Sequence, residues 1–195
     1  MRIAIHQPNF IPWFPFFYKM AMVDKFIILD TVQFEKNGWQ NRCNVWDKWW
    51  TKPVKNGTSY ICHKEYTDDR SLIDLNMLWI RAIKDTLNIN TELIFTRESC
   101  ITRHLSNEHK VHKQDPTRKL IGIIRGERID NPTYVTNPDA KDKYLDEDLM
   151  LEEGIMIEYC KVPRNLQKHT FEIFNEFGIV GAMKQLPRRG RSEKS

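Results

Sequence analysis

Two clusters of hydrogen-bonding and charged side chains stand directly behind two short apolar runs near the start of the chain. His6, Gln7 and Asn9 follow Ile3–Ile5, and Asp30, Gln33, Glu35, Lys36, Gln40, Asn41 and Arg42 follow Phe26–Leu29. A histidine in such a place can meet a phosphate or carry a proton near neutral pH. Its bland alternative is to cap the loop by bonding a backbone carbonyl. Lys36 and Arg42 bring fixed positive charge, and the arginine fork suits a phosphate or carboxylate. Gln33, Gln40 and Asn41 offer donors and acceptors together, and Trp39 can stack on a base or a sugar or else tuck into the core. Three adjacent amide and guanidinium groups are a poor way to build a core, which favours binding. His6 and Lys36 are the candidate catalytic groups. Gln7, Asn9, Trp13, Lys19, Asp30, Gln33, Trp39, Gln40, Asn41 and Arg42 are the candidate substrate contacts. Trp13 and the aromatics Phe14–Tyr18 also serve to seat a helix, and Lys19, on that helix, either reaches the site or faces water.

The elements that must position these groups are legible in outline. Short apolar strand, helix over Phe16–Val23, short apolar strand is the pattern of a βαβ unit. In an open parallel sheet the residues just beyond the carboxyl ends of the strands face the ligand crevice. His6, Lys36 and Arg42 are therefore expected to converge on one edge, with Arg42 having to fold back along its loop. Pro8, Pro12 and Pro15 keep His6–Pro15 out of regular helix. Val45–Val54 reads as a hairpin turning near Asp47–Lys48, Lys55–Thr58 as a turn and Tyr60–Lys64 as a further strand. Leu72, Leu75, Leu78, Trp79, Ala82, Ile83 and Leu87 give Arg70–Leu87 one apolar helical face. Further strands are expected at Thr91–Thr96, Thr133–Thr136 and Ile155–Tyr159. Further helices are expected at Arg118–Arg125, at Ala140–Glu152 before Gly154, and at Thr170–Phe177, stopping at Gly178. Strands alternating with helices predict an α/β fold with a mainly parallel open sheet and flanking helices. It is read as one domain over 1–183 with a basic flexible tail over 184–195.

Composition excludes several classes. No apolar run approaches the ~20 residues of a membrane span, and the opening residues do not read as a signal peptide, so a cytoplasmic protein is expected. Cys43, Cys62, Cys100 and Cys160 are far apart, with no CxxC pair, and suggest neither zinc motif nor disulfide framework. His104, His109 and His112 lack a strong zinc spacing, and no metal is expected. The chain contains no glycine-rich phosphate loop and no GxSxG elbow. The net charge of +4 is owed mostly to Lys184, Arg188, Arg189, Arg191 and Lys194, so charge alone does not argue for nucleic acid.

The segments IHQPNFIPWFPFFYKM and FIILDTVQFEKNGWQNR resemble the opening of the WbqC-like family. WTKPV, the stretch LIDLNMLWIRAIKDTLNINTELIFTRES and the stretch TYVTNPDAKDKYLDEDLMLEEGIMIEY are similar to its later segments, so the resemblance covers residues 3–160. It implies a setting in O-antigen and related surface-polysaccharide gene clusters, where an amino-acid (glycine) transferase role has been suggested. Pro15 stands where the family usually has Gly. Asp30-Thr31 replaces a paired Asp-Asp, which weakens any metal role. The region Tyr60–Asp69 is shortened, and little of the family pattern is recognisable after Cys160. The reading is a transferase acting on a small-molecule or sugar-nucleotide substrate, with ATP or another nucleotide as the expected activator. A strand followed by a His/Pro loop and a helix is also an arrangement of nucleotidylyltransferase-type sheets. A non-catalytic glycan or nucleotide-sugar binding module is the alternative, with nucleic-acid modification ranked last.

Overall fold

The computed structural model describes residues 1–55, 61, 65–66, 70–96 and 115–187. The readings of Lys55–Thr58 as a turn, of Tyr60–Lys64 as a strand, of the three-histidine segment and of the chain end beyond 187 fall wholly or partly outside these residues.

Five strands form one all-parallel sheet. They are β1 (Arg2–His6), β2 (Lys25–Ile28), β7 (Glu92–Phe95), β8 (Thr133–Thr136) and β9 (Met156–Tyr159), in the spatial order β7-β2-β1-β8-β9. Two small ribbons stand apart, β3 (Arg42–Val45) with β4 (Lys48–Thr51) and β5 (Glu65–Tyr66) with β6 (Arg70–Ser71). The helices are α1 (Phe14–Met22), α2 (Leu72–Thr86), α3 (Pro116–Gly126), α4 (Ala140–Lys143), α5 (Glu147–Glu152) and α6 (Thr170–Gln185). No described helix is long and apolar enough to cross a membrane.

Both faces of a parallel sheet are covered by its crossover helices, so its strands are apolar on both sides. Side chains alternate along each strand. Ala4, Phe26 and Ile28 pack with α1, α2 and α6, while Ile3, Ile5 and Ile27 pack with α3 and with Ala140, Leu145 and Met150. β1 is the middle strand. It pairs with β2 through Ile3↔Lys25 to His6↔Ile28, and with β8 through Arg2↔Thr133 and Ile3↔Tyr134. Chain order runs outward from β1 in one direction through β2 and β7, then in the other through β8 and β9. The loops leaving β1 and β8 therefore diverge, and a crevice opens between the carboxyl ends of these two strands.

Several boundaries differ from expectation, each for a local reason. α1 begins at Phe14 because Pro15 is tolerated in a first helical turn. Arg42 belongs to strand β3, paired with Thr51, and not to a loop. The hairpin turns one residue early, at Trp46 and Asp47, whose φ values of 50° and 58° make a two-residue turn of the primed type. Ala140–Glu152 is two helices, because Asp146 caps a new one by accepting from Leu149 N–H. The helix begun at Thr170 is broken at Gly178, as expected, and α6 is two helical pieces joined there. The backbone at Gly178 is non-helical (φ 66°, ψ 170°), and the unanticipated feature is the second piece, which runs on to Gln185, so that Lys184 lies in helix.

Candidate functional site

The crevice predicted by the strand order is occupied by a cavity of about 320 Å3, lined by His6, Gln7 and Asn9 from behind β1, by Trp13, Pro15 and Lys19 around α1, by Trp39 from behind β2, and by Asn137 from behind β8. A second cavity of about 350 Å3 lies toward α3, lined by Leu29, Lys119, Leu120, Tyr134 and Tyr144 among others, and it shares His6 and Gln7 with the first. The carboxyl end of β1 is thus a wall between two cavities.

The loop that carries this wall is pinned from several directions. Phe10 N–H donates to Trp39 O at 2.9 Å. Asn76, fully buried on α2, donates from Nδ2 to Pro8 O at 2.9 Å and to Gln40 O at 2.8 Å. From the start of α6, Thr170 donates to Pro12 O at 2.7 Å, and His169 Nε2 contacts Ile11 O at 3.0 Å. Because His169 Nδ1 accepts from Phe171 N–H, Nε2 carries the proton and donates. These bonds hold Ile11 at φ 42°. A β-branched residue is rarely found there, and strain of this kind gathers at ligand sites.

His6 is held between Phe16, edge-on at 4.9 Å, and Phe26, at 6.4 Å. Its Nδ1 lies 2.8 Å from Gln7 O, a carbonyl that can only accept. Nδ1 therefore carries the proton, and Nε2 is left as the acceptor. Burial pushes the imidazole down to about 3, and the Lys19 ammonium pushes in the same direction. His6 is neutral at pH 7. We expect its NMR nitrogen shifts to show the Nδ1–H tautomer from pH 8 down to pH 5; a midpoint above 6 would contradict the geometry. The sign for stability follows. Between pH 6.5 and about 3 the unfolded chain binds a proton that the folded one refuses. Stability is therefore complete above 6.5 and falls with pH, by about 2 kcal/mol at pH 5.

Lys19 is the unusual residue. It sits on a helix with almost no polar face, FPFFYKMAM, and is 4% exposed. Among the described residues no ion pair or hydrogen bond is made by its ammonium. Burial lowers it to about 8, partly opposed by Cys160 and Asp139. The Cys160 thiol is itself pushed up to about 11 by burial, so it is uncharged where Lys19 titrates. Asp139 is engaged with Lys143 at 2.6 Å. A buried cation lining a cavity without a close counterion is a seat for an anion. Asn9, which lines the same cavity, has its Oδ1 buried without a hydrogen-bond partner among the described residues.

The remaining expected residues divide. Gln7, Asn9, Trp13, Lys19 and Trp39 meet His6 around the first cavity. Gln40 is buried and braces the wall, donating to Gln7 Oε1 at 3.3 Å and Gln33 O at 3.2 Å while accepting from Glu35 N–H at 2.8 Å. Asn41 is buried and donates to Lys52 O at 2.9 Å. Asp30 is buried and accepts from Thr96 at 2.7 Å. Gln33 and Lys36 are exposed. Arg42 lies over the Trp49 ring at 4.3 Å. Lys36 and Arg42 line neither cavity. β1 and β2 are parallel neighbours as expected, but the cation brought to His6 is Lys19. Asn137, Asn76 and the α3 side of the crevice were not anticipated. No group of three or more possible metal ligands occurs among the described residues.

The model of the WbqC-like protein family matches residues 7–69 and 59–176. An uncharacterized protein of Mycobacterium tuberculosis (strain ATCC 25618 / H37Rv), Rv1507c, is 41% identical over 58 residues, 28% of this chain and 25% of that protein. The matched part of this chain thus spans about a quarter of that relative's length. No solved structure matches.

Proposed function

This chain belongs to the WbqC-like protein family, and from that premise we propose that it is a transferase. It moves an amino acid of the glycine type, or another acyl group, onto a sugar or nucleotide sugar in surface-polysaccharide biosynthesis, with nucleotide-dependent activation. The observation that carries this reading is Lys19, a buried cation with no ion pair among the described residues, in the crevice beside a neutral His6. Making an amide or ester from a free acid is uphill, so the acyl group must arrive on a phosphate-type leaving group. The amine or hydroxyl of the acceptor attacks the carbonyl carbon, the carbon–oxygen bond to phosphate breaks, and the departing oxygens meet Lys19. The nucleophile's proton passes to His6 Nε2. An anion bound at Lys19 shields the ammonium and so relieves the smaller of the two influences that lower His6, burial being the larger. The two cavities meeting at His6 and Gln7 suit a donor and an acceptor approaching from opposite sides. The strand order is that of the first five strands of doubly wound nucleotide-binding sheets, which supports the nucleotide by analogy of fold.

Calorimetry with ATP, its analogues and nucleotide sugars tests this. Binding is expected at pH 7 and should weaken roughly tenfold by pH 9 as Lys19 loses its proton. Absence of binding by any of them at millimolar concentration would remove the activation step. A non-catalytic glycan or nucleotide-sugar module would use the same side chains. His6→Ala separates the two, because an enzyme loses turnover with ligand still bound, whereas a module shows no turnover in either form.

A further inference from the structure

We propose that Trp13, Trp39 and Trp49 form a track that binds an acidic saccharide and leads it to the His6 cavity. The track rests on the transferase reading only for what happens at its inner end.

The β3–β4 ribbon is the least explained part of the fold. Every residue of β4 is exposed, and Trp46, Trp49 and Trp50 are 56%, 50% and 58% exposed. A two-stranded ribbon is marginal by itself, and this one is fastened at its ends without using those rings. Trp46 N–H donates to Glu172 Oε1 at 2.8 Å, and Lys52 N–H donates to Asn41 O at 2.7 Å. Its turn places a tryptophan at φ 50°, where Asn or Gly is the ordinary choice. Strained backbone and exposed large rings both run against stability, and together they mark a surface kept for binding.

The rings are continuous with the cavity. Trp13 and Trp39 line it and touch edge-on at 5.5 Å. Trp39 then meets Trp49 at 5.3 Å with the planes tilted by 37°. Arg42 covers one side of Trp49. The planes are inclined to each other, so these rings make a curved surface and not a parallel slot that would clamp a base. A pyranose lays its C–H face on such a surface and keeps its hydroxyls free for amides such as Gln7 and Asn9. Across residues 42–55 the sequence has four cations, Arg42, Lys48, Lys52 and Lys55, against Asp47, and Glu172 adds a second carboxylate at the turn, which leaves an excess of two. That local excess selects a saccharide bearing carboxylate or phosphate over a neutral one.

The indole N–H signals of the full chain, titrated with trigalacturonate, maltotriose and a ten-residue oligothymidylate, provide the test. Trigalacturonate is expected to shift the Trp39 and Trp49 signals and to bind more tightly than maltotriose. Trp49→Ala should weaken it at least roughly tenfold, the scale of one lost aromatic stacking contact. Trp50→Ala, on the opposite side of the strand, should change it less than about threefold at the same stacking scale. Both variants are to be checked for an unchanged denaturation midpoint, and Trp39→Phe serves if Trp49→Ala does not fold. ATP binding should be unaffected by Trp49→Ala, so loss of saccharide with ATP retained supports the track whether or not transfer occurs. No indole shift with either saccharide, equal loss in Trp50→Ala, or tighter binding of the oligonucleotide would overturn it.

Discussion

Replacing Lys19 by methionine is expected to stabilise the protein at pH 7 by roughly 3 kcal/mol and to abolish anion binding in the crevice. Both effects have one cause. The ammonium is buried on an apolar helix with no ion pair among the described residues, and its affinity for the proton falls from the usual 10.5 to about 8. Below pH 8 folded and unfolded chains are both protonated there, and the folded one bears the whole cost of a desolvated charge. Between 8 and 10.5 the folded chain sheds the proton first, so wild-type stability rises with pH. Methionine fills similar space without the charge. Its advantage should therefore be full at pH 7 and shrink to under about 1 kcal/mol by pH 10. Urea unfolding at the two pH values reads the difference, and calorimetry with ATP reads the loss of binding. A variant less stable than wild type at pH 7 would mean that Lys19 is already compensated inside the fold.

Asn76→Leu is expected to act in the opposite direction. Asn76 is fully buried, and its one amide group satisfies two buried carbonyls, those of Pro8 and Gln40, which belong to the loops behind β1 and β2. Leucine is of similar size but cannot donate. Leaving both carbonyls bare costs roughly 2–5 kcal/mol. The two loops form the wall and mouth of the cavity, so ligand affinity should fall together with stability. Hydrogen exchange at Phe10 N–H, which bonds Trp39 O between the same loops, should quicken more than exchange in the central strands. A stability loss under about 0.5 kcal/mol, below the cost of even one unmet buried carbonyl, would show that water or a neighbour takes over the role.

The first βαβ unit was legible because its apolar runs are short, uninterrupted and bounded by polar residues. The position of His6 at a strand end followed from that alone. The partner on the other side of β1 was not legible. β8 lies some 130 residues away, and nothing local in TYVT names its neighbour, so Asn137 and the second cavity were missed. Lys19 was named among the candidate contacts, though facing water stayed open for it, and its helix carried a stronger signal than was used. A helix reading FPFFYKMAM has no polar face to offer, so its lysine must be inside. Asn76 carried one too, as the polar residue in the buried run Leu72, Ile73, Met77, Ile80 and Ile83 of α2. Gln40 and Asn41 looked like ligand contacts because polar side chains in a loop usually face outward, whereas here the loops themselves need internal donors. The hairpin was expected, but its turn was placed one residue late because a tryptophan at position 46 contradicts turn chemistry.

The anchoring of the proline-rich loop by His169 and Thr170, 158 positions along the chain, sets the order in which the protein becomes competent. During synthesis β1, α1 and β2 can associate almost at once, since their contacts are local. β8 closes the crevice only after more than 130 residues have emerged, and the fasteners of Ile11 and Pro12 come later still. Contacts of such separation form slowly. The nascent chain therefore passes through a stage in which the sheet centre exists while its most strained loop is unfastened and its aromatic residues are uncovered. A stop between Tyr159 and His169 would leave a protein with its sheet strands present and its proline-rich loop unfastened, and such a product is a natural client for chaperones.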